Sequence, residues 1–70
     1  MDNYAKSLSD GRIAIYNGSE RIASVSLDRN RWTIRYIGVP DSHNVWFTFL
    51  GDALRYLNVA DLDGSPLDRF

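Results

Sequence analysis

The sequence predicts an α+β fold: an antiparallel β-meander of three to four strands with one C-terminal helix packed on one face, in the order β-β-β-(β)-α. Three observations carry this expectation. Ile13 and Ile15, then Ala23, Val25 and Leu27, then Trp32, Ile34 and Tyr36 recur at every second residue, the period of a half-buried strand. Asn17-Gly18 and the "DRNR" stretch from Asp28 to Arg31 separate these runs with turn-forming residues. Phe49, Leu50, Ala53, Leu54 and Leu57 then change to helical spacing.

The 70 residues are read as a single domain, 1–70. A chain this short buries only about 60% of the surface its unfolded form exposes, so its core is thin. Self-association or a partner is one way such a fold is completed. There are no cysteines and a single histidine, which excludes disulfides, thiolate zinc sites and histidine-rich metal sites. No metal and no cofactor is therefore expected. No apolar run approaches the roughly 18 residues of a membrane span. The opening "MDNYAKSLSDG" lacks the apolar stretch of a secretory signal, so the expected setting is cytoplasmic.

Taken in order, residues 1–10 read as a loose polar arm with one turn of helix around Tyr4–Leu8. Residues 12–37 form the three-stranded meander, which Gly38 and Pro40 bring to an end. Residues 44–58 hold a short strand, "NVWFTF", and the helix, with Thr48 as its N-cap and Asp52 favourable to the dipole. Gly51 weakens that helix by about 1 kcal/mol against alanine. Residues 59–70, containing "DLDGSPLDRF", read as a turn-rich tail.

Register decides which side chains face the core. A two-residue loop at Arg29-Asn30 opposes Asp28 to Arg31, Leu27 to Trp32, Val25 to Ile34 and Ala23 to Tyr36, and gathers the large apolar groups on one face. A tight Asn17-Gly18 turn in the preceding hairpin would leave Ile13 and Ile15 on the opposite, polar face. A three-residue loop, Tyr16-Asn17-Gly18, with Gly18 left-handed as a bulge, opposes Ile13 to Arg21 and turns both isoleucines toward Ala23 and Val25. Burial of two isoleucines is worth about 3–6 kcal/mol, so the bulged turn is expected.

The opposite face then carries Arg12, Ala14, Ser24, Ser26, Arg31, Thr33 and Arg35. Net charge is −1, yet residues 21–35 hold four arginines against Asp28, while residues 52–68 hold four aspartates against Arg55. Asp41-Ser42-His43 contains triad residue types, but three sequence neighbours do not make nucleophile, base and orienter geometry. Asp61, Asp63, Gly64 and Ser65 echo the start of a calcium loop without its closing glutamate and read as a turn. No phosphate-cradling glycine loop is present, and an enzyme is not expected.

The leading functional expectation is a non-enzymatic protein-binding module, an adaptor, regulator or stoichiometric inhibitor of the kind small bacterial or phage genomes use. It would act by occluding a partner surface through Tyr16, Arg31, Thr33, Arg35 and Trp46, residue types that anchor interfaces. The alternative is a DNA-binding sheet face using Arg12, Arg31, Thr33 and Arg35. Trp46 has opposite parity to Phe47, so the two cannot both be buried against the same core.

Overall fold

Arg29 and Asn30 both adopt positive φ, 53° and 65°, and close a two-residue hairpin. In this computed structural model, which describes residues 3–70, that turn sets the pairing of Asp28 with Arg31, Leu27 with Trp32, Val25 with Ile34 and Ala23 with Tyr36. The strands are β1 (Asn3–Ser7), β2 (Ile13–Asn17), β3 (Glu20–Asp28), β4 (Arg31–Tyr36), β5 (Val45–Phe47), β6 (Val59–Leu62) and β7 (Ser65–Pro66). The helix α1 (Leu50–Tyr56) lies between β5 and β6 in sequence. All seven strands form one sheet in the order β5-β4-β3-β2-β1-β6-β7.

The α+β class and the central meander hold. The strand number does not: among the described residues the sheet has seven strands rather than three or four. Nor is it wholly antiparallel, because β1 lies parallel to β6, with Asn3 opposite Val59 and Ala5 opposite Leu62. The segment expected as a loose arm is β1, whose Ala5 is buried against Ile15. Met1 and Asp2 of that segment lie outside the described residues. The expected turn-rich tail is β6, β7 and a 3-10 turn at Leu67–Arg69, with Val59, Leu62 and Leu67 in the core. Short strands with irregular burial (Val59 and Leu62 buried, Ala60 and Asp61 exposed) carry no period-two signal to read.

The β2–β3 hairpin reaches the expected facing by another route. Gly18 and Ser19 make the loop between paired Asn17 and Glu20, and Gly18 takes φ 62°. The extra residue sits in the strand instead of the turn: Tyr16 opposes Arg21 but Ile15 opposes Ala23, leaving Ile22 as the bulge. Ile13 therefore faces Val25 rather than Arg21, and both isoleucines are buried. β3 runs on past that last pair to Asp28, so Ser26–Asp28 project beyond the end of β2.

Ile15, Val25, Ile34 and Leu54 are the largest fully buried side chains. Helix α1 packs on β4 and β5 at one side and on β6 at the other, so the sheet curls around it. The helix starts one residue later than a Thr48 cap requires: Phe49 is the N-cap and makes no side-chain capping bond. Its end is marked by Asn58 at φ 59°, which donates its N–H to the Arg55 carbonyl. Asn3 fastens β1 to this turn, its backbone N–H donating to the Asn58 carbonyl at 3.1 Å and its side-chain amide to the Leu57 carbonyl at 2.8 Å.

Gly51 has a packing reason the helical pattern does not reveal. A Cβ there would lie 2.7 Å from the Leu67 carbonyl oxygen and 3.0 Å from that of Phe70. Both are backbone atoms, so the C-terminal turn docks only because position 51 lacks a side chain. Gly51→Ala is expected to lower stability by about 1–3 kcal/mol through overpacking, although alanine is the better helix former. The midpoint of urea unfolding tests this, and a raised midpoint overturns the packing argument.

The β6–β7 turn consists of Asp63 and Gly64, both at positive φ, 51° and 84°. The Asp63 carboxylate accepts the Ser7 backbone N–H at 3.3 Å and so ties the end of β1 to this hairpin. Hydrogen bonding from Ser7, helped by Lys6, holds the Asp63 carboxyl below its ordinary pKa. A group depressed in the folded state contributes stability above its unfolded pKa and gives it up as pH falls through the folded value. Asp63→Asn keeps the acceptor and the turn but removes the titration. Its urea midpoint should therefore fall less steeply than the wild type's on acidification below the ordinary carboxylate range, and equal slopes would remove this role.

Candidate functional site

Strand alternation divides the sheet into a core face and a solvent face. Thr33 pairs with Trp46, Ser26 with Thr33, Ser24 with Arg35, Ala14 with Ser24, and Tyr4 with Tyr16. All of these side chains belong to the solvent face, which therefore runs unbroken from β5 to β1. The parity expected of Trp46 is realised: it is 50% exposed, while Phe47 turns inward and packs on the core beside Tyr56.

At the β5 side, the Arg31 guanidinium lies over the Trp46 ring, 4.3 Å from its centroid. A cation held against an exposed indole costs little to order and presents a broad amphipathic surface. At the β1 side, Tyr4 and Tyr16 stack at 5.2 Å with their planes 15° apart. Between these aromatic ends lie the hydroxyls of Ser24, Ser26 and Thr33, the half-buried Arg35, and Ala14, which is fully buried among its neighbours.

Arg35 is the organised charge of the face. Its Nη1 donates to Ser26 Oγ at 2.7 Å, and its Nη2 lies 3.6 Å from an Asp28 carboxylate oxygen. Arg12, just before β2, pairs loosely with Asp10 at 3.7 Å, and Asp10 also accepts the Arg12 backbone N–H at 3.0 Å. Both ion pairs are exposed and contribute little to stability. An open cleft of about 590 Å³ lies beside the projecting end of β3, and Arg12, Ser24, Ser26 and Arg35 are in its wall.

The expected site residues Tyr16, Arg31, Thr33, Arg35 and Trp46 are thus on one face, and Arg12 stands at its edge. The sequence reading missed Tyr4 and Lys6, because a strand in the first ten residues was not foreseen. Lys6, opposite Ala14, and Arg21, opposite Tyr16, add two cations to the face.

No family model matches the chain, and no curated protein or solved structure is significantly similar to it.

Other candidates resolve into structure. Asp41-Ser42-His43 is a 3-10 turn in which the His43 N–H donates to the Pro40 carbonyl, with Ser42 and His43 exposed. Asp61 and Leu62 belong to β6, and Asp63-Gly64 is its hairpin turn. Among the described residues, no group of three or more acidic, histidine or cysteine side chains is placed to hold a metal ion. No described helix is long and apolar enough to cross a membrane.

The positions of Trp46 and Ile34 predict opposite responses to truncation. Trp46→Ala should stay folded, with a stability change within about 1 kcal/mol, because the ring lies on the solvent side. Ile34→Ala, at a fully buried site on the neighbouring strand, should cost about 2–5 kcal/mol. Urea unfolding followed by circular dichroism compares them. Unfolding of Trp46→Ala would make that residue part of the core.

Proposed function

We propose that this chain is a non-enzymatic module that binds a partner protein through the solvent face of its sheet, as an adaptor, regulator or stoichiometric inhibitor. The observation that carries this reading is the shared face of Tyr16, Arg31, Thr33, Arg35 and Trp46, with Trp46 half exposed and covered by Arg31. Trp, Tyr and Arg dominate the energetics of protein interfaces, and they do so where a rigid scaffold presents them. A continuous sheet is such a scaffold. The mechanism is occlusion: Trp46 and the Tyr4–Tyr16 stack supply apolar contact, and the arginine row orients the partner.

The favoured partner surface is acidic. Lys6, Arg12, Arg21, Arg31 and Arg35 line or border this face, and Asp10, Asp28 and, beside Lys6, Asp63 offset them only in part. Asp52, Asp61, Asp63 and Asp68 belong to the helix and the C-terminal elements. A net charge of −1 thus conceals a basic sheet face. That segregation also favours a second reading, nucleic acid on the same face, since phosphates are met by cations gathered on one side.

Capture from a bacterial lysate with the tagged chain, with and without nuclease, separates the two readings. The expected result is a protein retained after nuclease by the wild type and lost with Trp46→Ala and with Thr33→Lys, both folded. Retention by both variants moves the site off this face. Recovery of nucleic acid alone, with affinity falling steeply in salt, replaces the protein reading with the second one.

A further inference from the structure

The cleft beside β3 has more donor capacity than the fold uses. A guanidinium carries five N–H donors in a planar fork. Among the described residues, the Arg35 side chain makes one hydrogen bond, to Ser26 Oγ. Its approach to Asp28, at 3.6 Å, is too long to count as a second. The Arg12 guanidinium is likewise only loosely paired, at 3.7 Å from Asp10. Ser24, half-buried between the two strands that carry these arginines' neighbours, makes no side-chain hydrogen bond among the described residues. Arg12, Arg35, Ser24 and Ser26 all line the same open space, together with the carboxylates of Asp10 and Asp28.

The architecture explains why these groups meet there. β3 outruns β2 past the Ile13–Val25 pair, so the solvent face has a step at Ser26. The β1–β2 loop closes on itself beside that step, with Leu8 N–H donating to the Arg12 carbonyl at 2.8 Å and Gly11 N–H to the Leu8 carbonyl at 3.2 Å. Arg12, in that loop, and Arg35, on β4, thus line one cleft together with Ser24 and Ser26 of β3. Ser26 holds the Arg35 side chain down on the sheet, so little of its freedom is left to lose on binding.

We infer that this cleft takes one carboxylate, the side chain of an aspartate or glutamate on the partner, between Arg12 and Arg35 and over the hydroxyls of Ser24 and Ser26. The inference rests on the solvent face being the docking surface. The bidentate fork of Arg35 suits a planar carboxylate, and a charge-assisted pair of that geometry is stronger than either loose internal pair it replaces. Asp28 and Asp10 are then competitors for the arginines. They are exposed, and an incoming carboxylate displaces them without leaving a buried charge.

The test is a ¹⁵N NMR titration of the full chain at fixed ionic strength. The probes are acetyl-tetraglutamate amide, the matching tetraglutamine peptide and inorganic phosphate. Saturable movement of the Ser24 and Ser26 amides and the Arg12 and Arg35 Nε–H signals is expected with the glutamate peptide and not with glutamine. Arg35→Gln should weaken it roughly tenfold or more. Arg12→Gln, in a loop away from the core, should weaken it too, and Arg55→Gln should not. Asp28→Asn should tighten binding severalfold, an effect that a purely structural Arg35–Asp28 pair does not produce.

Absence of saturable movement, equal movement with glutamine, or weaker binding by Asp28→Asn would overturn the carboxylate site. Tighter binding of phosphate than of the peptide would reassign the cleft to phosphate chemistry. Movement confined to the Trp46 indole and Arg31 overturns the cleft while leaving the face. Movement confined to the helix and C-terminal elements removes the face as well.

Discussion

A one-residue slip of β4 on β3 would carry Trp32, Ile34 and Tyr36 out of the core and put Thr33 and Arg35 into it. No helix could compensate, since the buried arginine would lack a partner of adequate geometry. The two-residue turn at Arg29-Asn30 prevents the slip, and it does so at a conformational cost, because neither residue is glycine and both sit at positive φ. The rest of the sheet takes its facing from this pair. β3 carries a bulge at Ile22 that brings Ile13 and Ile15 of β2 to the same side, and β5 adds Val45 and Phe47 beside Ile34 and Trp32. The polar face exists because the apolar one is so tightly specified.

A seven-residue helix is about 10 Å long and covers only part of a seven-stranded sheet. The chain meets this by curling the sheet until α1 touches strands at both sides, and by returning β6 parallel to β1. The crossover needs a sharp helix end, which Asn58 supplies, and close approach of the C-terminal turn, which Gly51 permits. Tyr36 shows how thin the remaining cover is. Burial, with the adjoining Tyr56 adding to it, pushes its hydroxyl above the ordinary tyrosine pKa, yet Tyr36 is only half-buried and Tyr56 stays exposed.

Residues 12–37 were legible because two physical signals agreed there: alternation told which groups share a face, and turn residues told how far one strand could slide on the next. The pairing of β3 with β4 follows residue for residue from that agreement. In the β2–β3 hairpin only parity was legible. Burial dictates facing, but an extra residue preserves facing equally well in the turn or in the strand, and nothing in "YNGSERI" distinguishes them. The flanks were opaque for another reason. β1 shows a single buried residue, Ala5, and β6 two at irregular spacing, so neither offers a period. Their pairing is a tertiary contact between chain ends, secured by Asn3 at one end and Asp63 at the other. Missing β1 in turn hid Tyr4 and Lys6, and with them one edge of the solvent face.

Charge was legible as a sum and misleading as one. A chain with net charge −1 is a poor candidate for an anionic partner if its charges are mixed evenly. Here the sheet alternation that buries the apolar groups also sorts the cations, because Arg31, Arg35, Lys6 and Arg21 occupy outward positions on their strands. The acids Asp52, Asp61, Asp63 and Asp68 come later in the chain, where helix and hairpin take them. The local field above the sheet is set by this sorting within a Debye length of about 10 Å, with Asp63 beside Lys6 offsetting it at the β1 edge. Under the proposed function, an acidic partner surface is the one this sorting favours, with Trp46 and the arginine row on the same side of the sheet. Register, first imposed by the core, becomes the device that gives the surface its polarity.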